Sequence, residues 1–355
     1  LSGTDTFVAV NFKNTRMYTE RRYGYWTTIR WSKRGFIFGA ATALLALGVY
    51  TVLGSGCFLV PWQPVLLVGT ALAFYLGFKN NASYDRLWEA RKIWGAIVNG
   101  SRSFAASVMG YVSNLHAEEQ VDDAALHAIK RRLVFRHLAW LTCLRYQLRT
   151  PRVWEHTEEA EQFNDYFPDL KTPERHERLE DVLREFLSEA ELAQLEGKSN
   201  KAVQVLALQT RDLQQLRQQG LMDDFRHMEL QKFVSAMYDE QGKSERIKNF
   251  PFPRQYATIP LLLIKVMSLL LPFALIREFD NVGHQYVWLT VPFNAVVTWV
   301  FILMEMIGDY SENPFEGTYN DVPISSISRT IEIDLKEILG EPAPAPIQPV
   351  SGMLM

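Results

Sequence analysis

Seven histidines, at positions 116, 127, 137, 156, 176, 227 and 284, are the first candidates for metal or proton chemistry. None sits in a His-Glu-x-x-His helix turn or beside paired cysteines, so no metal site can be built from them. Gly197-Lys198-Ser199 ends like a phosphate-binding loop, but Leu192 stands where that loop needs its first glycine and no strand leads into it. No Ser, Cys or Asp nucleophile lies in a recognisable catalytic frame, so neither an enzyme nor a cofactor is expected. What remains is charge placed to act on ions. On a helix, Asp85 and Glu89 project to about −20° and +20° from Phe78, with Lys92 at about −40°. Copies of this stripe around an axis would stack acidic rings, which attract cations; if the acids instead pair locally, for example with Lys92, the face is left near neutral. Lys265 and Glu305 fall inside apolar segments. They are read as a snorkelling lysine and an interfacial carboxylate, the alternative being an ion-binding pair.

These residues need long helices to hold them. Residues 35–60 read GFIFGAATALLALGVYTVLGSGCFLV, without a charge, which is enough to cross about 30 Å of hydrocarbon at about 1.5 Å per residue. Residues 64–78 are apolar again but number only about 15, so they span only if the helix continues beyond them. Residues 79–113 contain strong helix formers and no proline, so one long helix is expected to run from the membrane into the cytoplasm. Residues 256–276 and 286–307 make a second apolar pair, separated by the polar turn REFDNVGHQ. Basic residues gather before the first span (Lys13, Arg16, Arg21, Arg22, Arg30, Lys33, Arg34), whereas the loop between the first two spans is uncharged. The excess of positive charge places the N-terminus, and after four crossings the C-terminus, in the cytoplasm.

Residues 114–250 are crowded with charged side chains and patterned as helices. Residues 133–148 suit one packed and one polar face. Prolines at 151, 168 and 173 and the acidic stretch 155–165 mark a loop, and residues 174–195 read as a charged helix. Ser199 or Asn200 caps the next helix, which stops at Gly220, and a further helix covers 223–240. The fold class is therefore all-α, with four transmembrane helices and a cytoplasmic helical domain. Its parts are a cytoplasmic segment 1–34, the membrane pairs 35–78 and 256–307, the cytoplasmic domain 79–255, and a C-terminal segment 308–355 with a proline-rich tail. The net charge of −3 gives no basic field for nucleic acid. Cys57 and Cys143 lie in segments of very different polarity, so no disulfide scaffold is expected. The polar, basic start holds no short apolar region of the kind a cleavable signal needs.

The stretches GTALAFYLGFKNNASYDRLWEARKIWG (69–95) and ENPFEGTYNDVPISSISRTIEIDL (312–335) resemble the bacterial branch of the bestrophins, and the likeness in layout extends over residues 10–340. The resemblance implies a homopentamer in a lipid bilayer, in a bacterium the inner membrane. Its second transmembrane helices would line a central pore, with a hydrophobic neck in the membrane and a second constriction at the cytoplasmic end. Eukaryotic bestrophins are calcium-activated chloride channels, whereas some bacterial relatives favour monovalent cations. Chloride is therefore the default permeant ion and a monovalent cation the alternative, with a secondary transporter or a non-conducting scaffold as remoter readings. Anchored on Gly77-Phe78, the neck positions are Thr70, Phe74 and Phe78, four apart on one helix face; Thr70 replaces the usual aliphatic residue and makes the neck shorter or wetter. The family's lower constriction follows a glycine in a Gly-x-Ile-x-Asp pattern. It falls here on Gly220-Leu221-Met222-Asp223-Asp224, which makes Met222 either the aperture or a core residue at a helix start. Only Glu316, Asn320 and Asp321 offer oxygens where eukaryotic members bind calcium, too few for a hard cation that seeks six to eight, so calcium is not assigned.

Overall fold

The computed structural model describes residues 25–54, 60–117, 119–156, 172–318, 320–349 and 354. The basic residues before Arg30, Cys57, most of the acidic stretch 155–165, and Pro168 lie outside these residues. The first helix, α1 (Tyr25–Leu53), leads to α2 (Trp62–Tyr111), a single helix of 50 residues. Its continuity follows from composition: the prolines at 61 and 64 lie at its start, where the missing N–H groups need no partner, and none occurs afterwards. After a large, charged helical domain come α9 (Arg254–Val282) and α10 (Thr290–Asp309). Three helices among the described residues are long and apolar enough to cross a membrane: α1, α9 and α10 with the 3-10 turn before it. The turn expected from residue 277 begins later, because nothing between Arg277 and Val282 breaks a helix and α9 runs on to Gly283. Pro260 and Pro272 lie inside α9 without ending it, as neighbouring helices in a membrane permit.

The large helical domain contains α3 (Asp123–Arg149), α4 (Pro173–His176), α5 (Leu179–Leu183), α6 (Glu189–Leu195), α7 (Lys201–Gln218) and α8 (Asp224–Asn249), and α11 (Ile324–Leu339) follows the apolar pair. The one charged helix expected over 174–195 is thus three short pieces. Ser188 restarts the chain with a reciprocal capping box to Glu191, and this cap competes with a continuous helix. Asn200 caps α7 by accepting the Val203 N–H at 3.1 Å. Beyond α7, Gly220 has φ +72°, and a Cβ there would lie 2.6 Å from the His116 carbonyl oxygen, so only glycine fits.

The lower half of α2 shares one core with α3, α7, α8 and α11, built around Trp94, Phe104, Leu133 and Trp140. Its upper half packs Val65, Leu72 and Leu76 against Ile264, Met267 and Leu271 of α9. The second helix therefore belongs to both halves of the molecule, and α1 is held to α10 by Asn294, whose amide donates to Gly39 O at 2.7 Å. The core of the helical domain also contains a charged knot. The Arg136 guanidinium, 6% exposed, reaches Glu191 at 2.6 Å and Asp212 at 2.7 Å. Removing one partner of such a cluster leaves buried charge uncompensated at a cost of about 3–5 kcal/mol. Arg136→Met should lower unfolding free energy in detergent by roughly that amount. A loss below about 1 kcal/mol would show that the knot carries no weight.

Candidate functional site

The face of α2 turned away from both cores stays exposed along the whole helix. Thr70 is on it, and its hydroxyl donates back to Leu66 O at 2.8 Å, so its polarity is largely spent on its own helix. Phe74 and Phe78 follow one and two turns later, 67% and 66% exposed. Asn81, Asp85, Trp88, Lys92, Ala96 and Asn99 continue the same exposed line into the cytoplasmic half. Two large aromatics left open on a packed helix are unusual for a soluble surface, and the polar residues one turn below them are equally unsuited to lipid. Asp85 and Glu89 differ in surroundings. Asp85 is exposed. Glu89 accepts from Arg246 of α8 at 2.5 Å, so the local partner of the acid pair is Arg246 rather than Lys92.

At the far end of α2, Met222 is 2% exposed and belongs to the hydrophobic core. Its burial matches the second of its two readings, a core residue at a helix start. Phe225, which the sequence reading did not single out, is 84% exposed in the first turn of α8. Its neighbour Arg226 donates to Tyr111 O at 3.4 Å and to Ser113 Oγ at 3.1 Å, which sets Phe225 beside the lower end of α2. The signal was available, since Asp223 caps α8 through the Arg226 N–H at 2.9 Å. A residue two after an N-cap aspartate starts a helix at its surface, whereas Met222 before the cap packs inward.

Directly after Phe78, Lys79 turns to the opposite side of α2 and is fully buried. Its ammonium lies 2.7 Å from Glu305 and 3.3 Å from Asp309, both on α10. Glu305 is thus neither a surface carboxylate nor a partner of Lys265. Asp309 also accepts from His156 Nε2 at 2.9 Å, and His156 Nδ1 lies 3.3 Å from Glu316. Burial alone would lower the His156 pKa, but the hydrogen bonds to Asp309 and Glu316 outweigh it and raise it to about 11, so the ring is an imidazolium. Glu312 lies close by with no hydrogen-bond partner for Oε2. Burial, with the Asp309 charge added, pushes it up to about 7.

The three calcium candidates lie in the same loop, and two of them are already engaged. Asp321 takes Arg149 at 2.8 Å, the Thr318 hydroxyl at 2.9 Å and the Gly317 N–H. Glu316 faces His156, and Asn320 is half-buried. Among the described residues no group of three or more His, Cys, Asp or Glu side chains is arranged to hold a metal ion. A guanidinium inside the donor set repels a cation, so this loop does not fit calcium.

An all-α membrane protein with three long apolar helices, a large helical domain and one long helix packed in both its cores defines a class, and comparison with known proteins places the chain within it. The family model described as Bacterial/Fungal Bestrophin protein matches residues 33–337. The chain belongs to that family, a family of channel proteins rather than enzymes. It is similar to the voltage-dependent anion channel-forming protein YneE of Salmonella typhimurium, 27% identical over 298 residues covering 84% of this chain and 82% of that one. It is also similar to the voltage-dependent anion channel-forming protein mll4386 of Mesorhizobium japonicum, 28% identical over 311 residues, with 87% and 85% covered. The crystal structure of a bacterial bestrophin homolog from Klebsiella pneumoniae superposes with a TM-score of 0.70 at 23% identity, covering 87% of this chain and 98% of that one. It shares the fold.

The raised pKa of Glu312 makes a stability prediction. Its folded value, about 7, stands above the ordinary 4.5, so ionising it opposes folding. The penalty is absent below the ordinary value and grows as pH rises toward 7. Glu312→Gln should therefore match the parent at about pH 4 and exceed it by about 2–3 kcal/mol at about pH 8, read from denaturation midpoints in detergent. A pH-independent difference would show that Glu312 does not titrate in this range.

Proposed function

We propose that the chain assembles as a homopentamer into a passive ion channel whose pore is lined by the exposed face of α2. The observation that carries this reading is the continuity of that face, which runs from Thr70 through Phe78 to Asn99 without a covering element. A ring of subunits gives it an environment neither lipid nor bulk water offers: apolar rings of Phe74 and Phe78 form a neck that gates by dewetting, and polar rings line a vestibule below. The apolar part of α2 is the fourth crossing, short in hydrophobic length but carried on by an unbroken helix. Residues 35–78 and 256–307 then lie in a bacterial inner membrane, while 79–255, 308–355 and both termini are cytoplasmic. Phe225, in place of Met222, forms the second constriction.

Chloride is the permeant ion of this reading. Two observations support it: similar proteins carry names as anion channel formers, and the Glu89 charge is matched by Arg246. The acid stripe is thereby reduced to Asp85, which no hydrogen bond or ion pair engages among the described residues. That single exposed acid is what favours the alternative, a monovalent-cation channel of the same architecture.

Mass measurement in detergent should give five subunits; monomers or dimers would overturn the pore. In planar bilayers Phe74→Ala with Phe78→Ala should raise conductance about tenfold, the effect of removing roughly 1.4 kcal/mol of barrier. Conductance equal to the parent would remove these residues from the neck. Asp85→Asn should move the reversal potential in asymmetric salt toward anion preference, and Glu89→Gln, which frees Arg246, should move it further the same way. An unmoved potential would mean that these acids do not set selectivity.

A further inference from the structure

We infer that Lys79 is a positioning residue for the neck: clamped between Glu305 and Asp309, it fixes the rotation of α2 at the turn that carries Phe78. The inference rests on the pore reading above and adds to it the part that holds the neck in shape. A fully buried ammonium with two carboxylates on a neighbouring helix tolerates little movement, because any rotation of α2 that lengthens the 2.7 Å contact to Glu305 strands charge away from water. Lys79 and Phe78 are successive residues about 100° apart on the helix, so a rotation that draws one out of its place swings the other by the same angle.

A second contact at the same turn acts in the same direction. Gly308 of α10 has no side chain where Asn80 lies, and a Cβ there would come 2.3 Å from Asn80 Oδ1. The two helices thus meet at Gly308 with the ion clamp beside them. Asp309 carries the restraint on to the cytoplasmic loops, since the His156 ring holds its other oxygen at 2.9 Å. Lys265, the intramembrane charge conspicuous in the sequence, has no part in this arrangement.

The same turn shows why the clamp acts on gating rather than on stability alone. The apolar face of α2 above it, Leu72 and Leu76, packs on α9 and resists tilting. Its apolar contacts are non-directional. Paired charges give a directional restraint. The Phe74 and Phe78 rings, open on the far side, have nothing in their own chain to hold them at a set distance from an axis.

The test is a double-mutant cycle on the full-length channel in bilayers, with Glu305→Gln and Phe78→Ala made singly and together. Glu305→Gln keeps the shape and an acceptor for Lys79 but removes the charge. If the clamp acts through Phe78, Glu305→Gln changes the open-to-closed ratio in the parent and has no effect once Phe78 is alanine. The expected coupling is about twofold or more, the lower end for residues in one network. Additive effects, or no effect of Glu305→Gln in the parent, would overturn the proposal. Phe78→Ala behaving like the parent would instead overturn the neck itself, a separate result. Exchanging the charges, Lys79→Glu with Glu305→Lys, should recover part of the parent's ratio, which a loss of packing alone would not allow. Should Glu305→Gln fail to fold, Asp309→Asn removes the longer contact and enters the same cycle with the same two outcomes.

Discussion

One backbone constraint organises this molecule: α2 must keep its hydrogen bonds satisfied without interruption while its neighbours change. A helix does so internally, which is why a single element can run for 50 residues from one core to the other. Everything else is arranged along it. The upper part has an apolar inner face for α9 and the lower part an apolar inner face for α3, α8 and α11. At the join sits Lys79, where the partner changes from the long apolar helices to the charged helical domain. A buried charge there is costly unless paired. The partners come from the end of α10, whose Glu305 and Asp309 both reach Lys79.

Much of the architecture was legible because it depends on local pattern. Uncharged runs announce membrane helices, and the absence of proline after position 64 announces the length of α2. The exposed stripe was legible too, as arithmetic at about 100° per residue. What was not legible depends on which faces meet. Nothing in the sequence says that Lys79 meets Glu305 and Asp309, each more than two hundred residues away from it, and Lys265 drew attention instead because it interrupts an apolar run. Glu89 finds Arg246 from a separate helix in preference to the local Lys92, a choice made by tertiary packing. The break of 174–195 into three pieces turned on a capping box at Ser188, whose signature is local but competes with helix formers on both sides. Which of Met222 and Phe225 faces outward was not legible either, because matching a family pattern to a glycine fixes the loop but not the register of the following helix start.

The distribution of charge along α2 follows from the same packing: an acid that leans toward the helical domain meets a base there. Glu89 meets Arg246, and on the inner side Glu155 meets Lys248 at 2.5 Å with both nearly buried. The exposed Glu89 pair is worth little in stability. Its effect is on the local field, since the Arg246 charge offsets that of Glu89 on the open face of the helix.

The loop that holds Glu312, Glu316 and Asp321 is polar, buried and irregular, and its backbone and carboxylates need partners. A divalent cation could organise such a loop by drawing oxygens together. Here side chains of the helical domain supply positive charge: Arg149 on Asp321, His156 on Glu316, and Arg175 donating to the Glu316 carbonyl at 2.7 Å. These cations are covalently part of the chain and reach the loop from separate elements. Through His156 and Asp309 the same network extends to Lys79, so the helical domain and the turn of α2 that carries Phe78 are joined by charged side chains in direct contact.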